Sequence, residues 1–421
     1  MRRGSALTRA KVLVAFPARL NLVAFCSLLS ALTVVHAQNL QMQLAEAAMR
    51  GDAAQLKALL NSGAKVDDTD ASQRTALSYA AAAGSLPVVQ LLLDAGAAAD
   101  SRDQEGVSPL MMASAEGHTP IAELLLSKGA NVRATDRDGM TALMAAASTG
   151  RADTIRALVA HGADVNAKNS VGSSALMSAA FGGYDDAVDL LLASGADLTS
   201  SDKQGRTALM AAAIRGFVGP VRMLMARGAD LESSDAQGGT PMVYAAAAGN
   251  IEVVSALLKG GAKKGIAAGY LVAASTCHDD IVQLLLGQGV DMNAVDDGGR
   301  TAPIAAAMNG CAGTVSMLIA KGADVKTANS DGFTPLLAAA FRGSPETMQV
   351  LIEQSVDVNA ADKLGRTALM GASVRGLLDM VRLLVAKGAD PQAHDKDGRS
   401  AAGYAAIAGE QDVIRYFQSL R

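Results

Sequence analysis

Apolar and polar residues along the chain follow one recurring pattern, which the unit beginning at Thr207 illustrates. Two runs, 208–214 and 219–226, carry apolar side chains at helical spacing and predict two short helices. Thr207 is a favourable helix N-cap, and Gly216 and Gly228 suit the left-handed conformation that ends a helix. The second run is expected to place the side chains of Val221, Met223, Leu224 and Met225 largely inside the stack.

A polar segment joins each second helix to the next unit. Asp235 and Gly238 lie three positions apart, as in a tight turn that begins with Asp and ends with Gly. Each unit is therefore predicted to be helix, turn, helix and hairpin loop. Its first Thr or Ser recurs every 33 residues, and one shortened interval, after which Ala268 takes this position, separates the two series Thr75, Ser108, Thr141, Ser174, Thr207, Thr240 and Thr301, Thr334, Thr367, Ser400. Such a period is typical of a solenoid, whose units bury their apolar faces against one another.

These motifs resemble the ankyrin-repeat family. The family pattern Asp-x-x-Gly-x-Thr-Pro-Leu stands at 329–336 as Asn-Ser-Asp-Gly-Phe-Thr-Pro-Leu, and again from Asp103 to Leu110. The similarity covers about residues 42–421. It implies an all-α ankyrin-repeat solenoid of about twelve helix-turn-helix repeats with hairpin loops, curved with a concave face. Repeats 1–7 are expected in about 42–267, an irregular short repeat 8 in about 268–300, and repeats 9–12 in about 301–421.

Repeat 8 departs from the pattern. Thr240 and Ala268 are only 28 positions apart, so five residues are missing, and residues 262–265 replace the Asp-x-x-Gly turn. Tyr270 stands at a usual Leu position and Cys277 at a usual Gly position. Because a non-Gly residue with positive φ costs about 1 kcal/mol, this joint is expected to be weaker than its neighbours. The sequence leaves neutral drift, a hinge and a binding notch open.

Cys277 and Cys311 lie in adjacent repeats, one position out of step. An exported compartment permits disulfides, and a bridge would tie repeat 8 to repeat 9. Stacked helices lie about 8 to 10 Å apart, however, whereas a disulfide needs Cα atoms within about 6.8 Å. This geometry disfavours the bridge, which remains an open alternative.

The sequence offers little for catalysis or metal binding. Residues 277–280, Cys-His-Asp-Asp, lack the paired Cys or His-x-x-x-His spacing of common metal sites. Residues 260–265 lack the Gly-Lys-Ser/Thr ending of a phosphate loop. No recognisable triad context surrounds His118, His161, His278 or His394. We therefore expect no enzyme activity, no cofactor and no metal site.

The first 37 residues stand outside the repeat and indicate a secretory signal peptide. Five basic residues and no acidic residue accompany an apolar stretch at 20–35, and Val35-His36-Ala37 is a plausible cleavage site. A membrane anchor is the main alternative, but the stretch is shorter than the roughly 20 apolar residues of a span. A mitochondrial presequence is another. Cleavage after Ala37 predicts a periplasmic or secreted protein with no stable membrane span.

Removal of this segment makes the chain more acidic. It would leave 32 Lys and Arg against 41 Asp and Glu, a formal charge of −9. Because nonspecific nucleic-acid binding depends mostly on phosphate neutralisation, no nucleic-acid partner is expected.

The family resemblance directs attention to the hairpin tips and first helices, which line the concave face where members generally bind proteins. Arg and aromatic residues are enriched in interface hot spots, and here they concentrate toward the later repeats. The candidate contacts are Arg206, Arg215, Arg300, Phe333, Phe341, Arg342, Arg366, Arg375 and Arg399.

The sequence thus predicts an exported bacterial ankyrin-repeat protein, monomeric and non-enzymatic, that binds an unknown protein partner through its concave face. Two alternatives belong to other classes. One is a structural spacer of the cell envelope, and the other is a protein that binds a small molecule or metal at the repeat 8 notch.

Overall fold

The computed structural model describes residues 39–420, so the expected signal segment, residues 1–37, lies outside the described residues. These residues contain 24 α-helices and no strand. The first helix of each pair is α1 (39–50), α3 (Ala76–Ala83), α5 (Pro109–Glu116), α7 (Ala142–Ser148), α9 (Ala175–Gly182), α11 (Ala208–Arg215), α13 (Pro241–Ala247), α15 (Ile266–Ser275), α17 (Ala302–Asn309), α19 (Pro335–Arg342), α21 (Ala368–Val374) and α23 (Ala401–Ala408).

The second helix of each pair follows after a short turn. These helices are α2 (Ala53–Asn61), α4 (Leu86–Asp94), α6 (Thr119–Ser127), α8 (Ala152–Ala160), α10 (Asp185–Ala193), α12 (Val218–Ala226), α14 (Ile251–Lys259), α16 (Asp279–Gly287), α18 (Ala312–Ala320), α20 (Pro345–Ile352), α22 (Leu378–Ala386) and α24 (Gln411–Ser419). The all-α repeat architecture predicted from the period is confirmed.

The described residues divide into two compact units. The first contains residues up to Ala113 together with Pro120–Asn131, and the second contains Ser114–Thr119 and the chain from Val132 onward. Within the second unit, first helices α7 to α23 each contact the first helix of the adjacent pair, and second helices α8 to α24 do the same. This unit therefore has two helical layers that share one continuous apolar core.

The unit at Thr207 shows how the local signals act. Thr207 Oγ1 accepts a hydrogen bond from Met210 N at 3.4 Å, which caps α11, and Gly216 ends that helix with φ +76°. The second helix begins at Val218, one residue before the expected start. Its buried apolar positions are Pro220, Val221 and Leu224, while Met223 and Met225 are only partly buried.

Repeat 8 has a shorter entry than the others. The helix α15 starts at Ile266, two residues before the expected boundary at 268, and Gly265 precedes it with φ +81°. The carboxylate of Glu232, in the loop after α12, accepts hydrogen bonds from Lys263 N at 2.7 Å and Lys264 N at 2.6 Å. A side chain from the preceding loop thus holds the shortened segment in place of a hairpin.

Tyr270 fills the Leu position of repeat 8 without exposing its hydroxyl. The residue is 0 % exposed, and its hydroxyl donates to Met292 O at 3.1 Å. Burial, followed by the nearby negative charge of Asp291, raises the pKa of Tyr270 to about 12. The larger ring is accommodated because its polar end finds a backbone acceptor in the loop after α16.

Cys277 and Cys311 form a disulfide, with Cα atoms 5.3 Å apart. The separation of about 8 to 10 Å expected from helix stacking was wrong for this pair. Both residues lie in turns and not within helices: Cys277 follows α15, and Cys311 is the N-cap of α18. Cys277 adopts φ +62°, as its place at a usual Gly position predicted.

Candidate protein-interaction surface

Each regular hairpin loop ends in five residues that begin with Asp or Asn, which we call a tip. The first residue organises the tip: Asp235 Oδ1 accepts hydrogen bonds from Gln237 N at 2.9 Å and Gly239 N at 2.7 Å. Gly238 N also donates to Asp235 O at 3.1 Å, which confirms the predicted turn. In the second unit the tips are residues 136–140, 169–173, 202–206, 235–239, 296–300, 329–333, 362–366 and 395–399.

Adjacent tips are joined by a regular series of backbone hydrogen bonds, which we call the tip ladder. The second residue of one tip donates its N–H to the carbonyl of the third residue of the preceding tip, as Lys363 N donates to Asp331 O at 2.8 Å. The other donor–acceptor pairs in the second unit are Ser170–Asp138, Lys203–Val171, Ala236–Gln204, Ser330–Gly298 and Lys396–Leu364. The ladder fixes each tip against its neighbour.

Three of the predicted arginines are the fifth residues of tips and bind the first residue of the same tip. Arg366 Nε donates to Asp362 Oδ2 at 2.7 Å, and this carboxylate is only 1 % exposed. Arg206 and Arg300 bind Asp202 and Asp296 in the same way, at 2.8 and 2.7 Å. These salt bridges therefore hold the guanidinium groups in defined positions.

In some tips a tyrosine lies nine residues after the first Asp. Its hydroxyl then donates to the carboxylate of that Asp, which in other tips binds an arginine. Asp395 Oδ2 accepts from the Tyr404 hydroxyl at 2.7 Å, and Arg399 instead pairs with Asp397 at 2.9 Å. In another tip the Tyr244 hydroxyl donates to Asp235. Burial, followed by this hydrogen bond, raises the pKa of Tyr244 to about 12. The sequence reasoning missed these tyrosines, although their fixed spacing was a usable signal.

Four predicted residues form one group, which we call the Phe–Arg cluster: Phe333, Phe341, Arg366 and Arg375. The two phenylalanine rings lie with centroids 6.1 Å apart, and the Arg366 guanidinium lies 5.3 Å from one and 5.0 Å from the other. Arg375 Nε donates to Phe341 O at 2.8 Å. The cluster forms because the tip of one repeat lies over the end of the preceding first helix.

The other five predicted residues lie apart from this cluster. Arg342 is exposed at the end of α19, next to Phe341. Arg215 lies over the Phe181 ring at 5.1 Å, in an earlier repeat. Arg206 and Arg300 line separate grooves, and Arg399 lies in the last tip. The structure thus brings together only part of the predicted surface.

Two of the residues 277–280 considered for metal binding, Cys277 and Asp279, are engaged in links between repeats. Cys277 is bonded to Cys311, and Asp279 accepts a hydrogen bond from Thr314. Among residues 39–420, no group of three or more His, Cys, Asp or Glu is arranged to hold a metal ion. None of the helices in the same residues is long and apolar enough to cross a membrane.

Paired helices, tips and a shared core define the class of helical-repeat solenoids. The family model for ankyrin repeats, built on three copies, matches residues 44–136, 128–202, 176–268, 270–362 and 337–419. The chain belongs to the ankyrin-repeat family. Ankyrin repeats generally serve as protein–protein interaction modules. No curated protein matches the chain.

Proposed function

We propose that this chain is a non-enzymatic scaffold, exported to the periplasm or secreted, that binds a protein partner through the concave face of its later repeats. The Phe–Arg cluster carries this proposal. Arg366 is anchored by a buried carboxylate and two aromatic rings, and 28 % of its side chain remains exposed. An anchor that is already ordered loses little conformational entropy when a partner binds.

The charge around the cluster indicates what the partner presents. Arg375 of the cluster is exposed, as are Arg342 beside it and Lys363 and Lys396 in the adjacent tips, and these cations outnumber the exposed Asp331 and Asp397 of the tips at 329–333 and 395–399, whereas the whole chain carries a formal charge of −4. A basic region on an acidic protein favours an acidic partner surface, because complementary charge speeds association and excludes partners of the wrong sign. We therefore propose a protein segment that combines carboxylates with apolar side chains.

The test of binding compares two matched variants in affinity capture, followed by titration of the identified and purified partner. Phe341→Ala/Arg342→Ala removes one ring of the cluster and the exposed arginine next to it, and Phe181→Ala/Arg215→Ala removes a Phe and Arg pair in an earlier repeat. If the cluster contains hot spots worth about 2 kcal/mol, the first variant should weaken binding about 30-fold and the second should not. Equal affinity of both variants for the partner, with thermal unfolding unchanged, would contradict the proposal.

Export is tested separately by the N-terminus of the mature protein. Mass spectrometry of the protein recovered from the extracytoplasmic fraction should give a chain that begins at Gln38. A protein that keeps residues 1–37, or that remains entirely in the cytoplasm, would show that the segment is not a cleaved signal.

A further inference from the structure

The tip ladder is interrupted at repeat 8. Residues 262–265 replace the hairpin, so no tip lies between residues 235–239 and 296–300. Gln237 O is the carbonyl that would accept from the missing tip, and Asp297 N is the donor that would bond to it. Within residues 39–420, no backbone N–H donates to Gln237 O and no backbone carbonyl accepts from Asp297 N.

The interruption is open and is not closed by its neighbours. The helix α15 contacts both α13 and α17, so the helical stack continues beneath the missing tip. Thr240, at the start of α13, is 1 % exposed, whereas Ala268, at the equivalent position of repeat 8, is exposed. Gln237 and Asp297 are exposed, as are the equivalent residues of the uninterrupted tips, such as Gln204 and Lys363. The backbone of a hairpin tip is thus absent at the beginning of α15.

A groove with both apolar and polar lining residues, Asp296 and Asp297 among them, lies beside this opening. It has a volume of about 590 Å³ and is lined by Leu271, Val295, Arg300 and Met308, among others. Val295 is 57 % exposed and Met308 is 39 % exposed, which is high for side chains of this kind. The groove of the regular repeat at α9 and α11 has a volume of about 380 Å³, and the tip residue Ser173 is part of its wall.

We infer that this opening binds a tight turn of another protein, which takes the place of the missing tip. An N–H of that turn donates to Gln237 O, and a carbonyl of the turn accepts from Asp297 N. An apolar side chain of the same turn lies against Val295 and Met308. This binding resembles the addition of an extended peptide to an exposed sheet edge. In both cases backbone hydrogen bonds supply affinity and a side-chain pocket supplies specificity.

The chain's own tips indicate the chemistry of the turn. The regular tips begin with Asp or Asn, and their first carboxylate or amide organises the backbone that forms the ladder. Lys263 and Lys264 are exposed beside the opening and favour an acidic first residue in the incoming turn. This inference rests on the proposed function as a protein-binding scaffold, but it uses no residue of the Phe–Arg cluster.

The probe is a fluorescein-labelled cyclic peptide with the sequence of residues 233–241, Ser-Ser-Asp-Ala-Gln-Gly-Gly-Thr-Pro. We expect saturable binding to the full chain by fluorescence anisotropy, together with slower amide exchange in a proteolytic fragment that contains Asp297. Replacement of residues 263–267 by a copy of residues 230–239 restores a hairpin and should abolish binding. No saturable signal up to about 1 mM peptide would overturn the inference.

A matched pair of point variants isolates the ladder donor. Asp297→Pro removes the N–H at the second turn position, where proline is well tolerated, and Asp297→Ala removes only the carboxylate. Loss of one hydrogen bond should weaken peptide binding about three- to tenfold in the proline variant, with little change in the alanine variant. Equal affinities of the two variants would overturn the inference.

The two proposals can fail independently. Phe341→Ala/Arg342→Ala should leave binding of the cyclic peptide unchanged, because neither residue lines the opening. If Asp297→Pro binds the cyclic peptide as tightly as Asp297→Ala while the cluster variant loses the protein partner, the scaffold function stands and the docking turn is wrong. If Asp297→Pro weakens peptide binding while the cluster variant still binds the protein partner as the wild type does, the docking turn stands and the cluster has been assigned wrongly.

Discussion

The disulfide between Cys277 and Cys311 makes the most specific stability prediction. Two double variants remove it, Cys277→Gly/Cys311→Ala and Cys277→Ala/Cys311→Ala. Both lose the bond and leave the same small space at residue 311, which is buried. They differ only in whether residue 277, which has φ +62° in the structure, can adopt that conformation without cost.

The magnitude follows from the loop and from the backbone. The bond joins residues separated by 34 positions, for which the chain-entropy relation gives about 4 kcal/mol of stabilisation at 25 °C. Glycine at residue 277 should recover about 1 kcal/mol, because a left-handed conformation costs residues with a Cβ atom about that amount. We therefore expect losses of about 3 kcal/mol for the glycine variant and about 4 kcal/mol for the alanine variant.

Hydrogen exchange followed by mass spectrometry is the appropriate assay, because the repeats of a solenoid can open locally. Fragments covering α15 to α18 should exchange faster in both variants and in the reduced wild-type chain. Denaturant unfolding of the whole chain supplies the free energies. The intact wild-type chain should gain two hydrogens on reduction, which checks that the bond is present in the starting material.

Three outcomes would refute this reasoning. Free thiols at residues 277 and 311 in freshly purified, exported protein would show that no bond forms. Equal stability of the glycine and alanine variants would mean that the left-handed backbone carries no penalty. Unchanged exchange after reduction would mean that the bond adds nothing to the contacts already present at this joint.

Two further predictions concern the same repeat. Tyr270→Phe should cost about 1 kcal/mol, because Met292 O loses its donor. Since the folded pKa of Tyr270 is about 12 against an ordinary 10, the stabilisation it provides should be present below pH 10 and lost as the pH rises toward 12. Denaturant midpoints at pH 8, 10 and 11 should fall more in the wild type than in the Phe variant, which keeps the raised pKa of Tyr244; parallel curves would contradict this. Glu232→Ala should speed amide exchange at Lys263 and Lys264, while Glu232→Gln, which keeps one acceptor, should have a smaller effect. Exchange in Glu232→Ala that is as slow as in the wild type would mean that this carboxylate does not hold the loop.

The features that were predictable from the sequence are those encoded within one repeat. A Thr before an apolar run, a Gly after it and an Asp three positions before another Gly each act through hydrogen bonds or φ angles of nearby residues. Thr207, Gly216 and Asp235 therefore behave as expected. The positive φ of Cys277 was predictable in the same way, because Cys277 stands where the other repeats usually have Gly.

The features that were missed depend on contacts between residues far apart in the chain. Whether an arginine binds the first residue of its own tip depends on whether a tyrosine follows that residue by nine positions, as the contrast between Arg366 and Arg399 shows. The disulfide was judged by the spacing of helix axes, although both cysteines lie in turns, where the chain approaches its neighbour more closely. The repeat period gave the register of these residues but not their partners.

The contacts around repeat 8 also bear on whether this joint is a hinge, neutral drift or a notch. A hinge requires few connections, yet the loss of two ladder bonds here is accompanied by the Glu232 contacts, the buried Tyr270 hydroxyl and a disulfide to the next repeat. Drift gives no reason for such contacts to collect at one place. A fixed opening is favoured, because it holds Gln237 O and Asp297 N in position and so lowers the entropic cost of binding a turn.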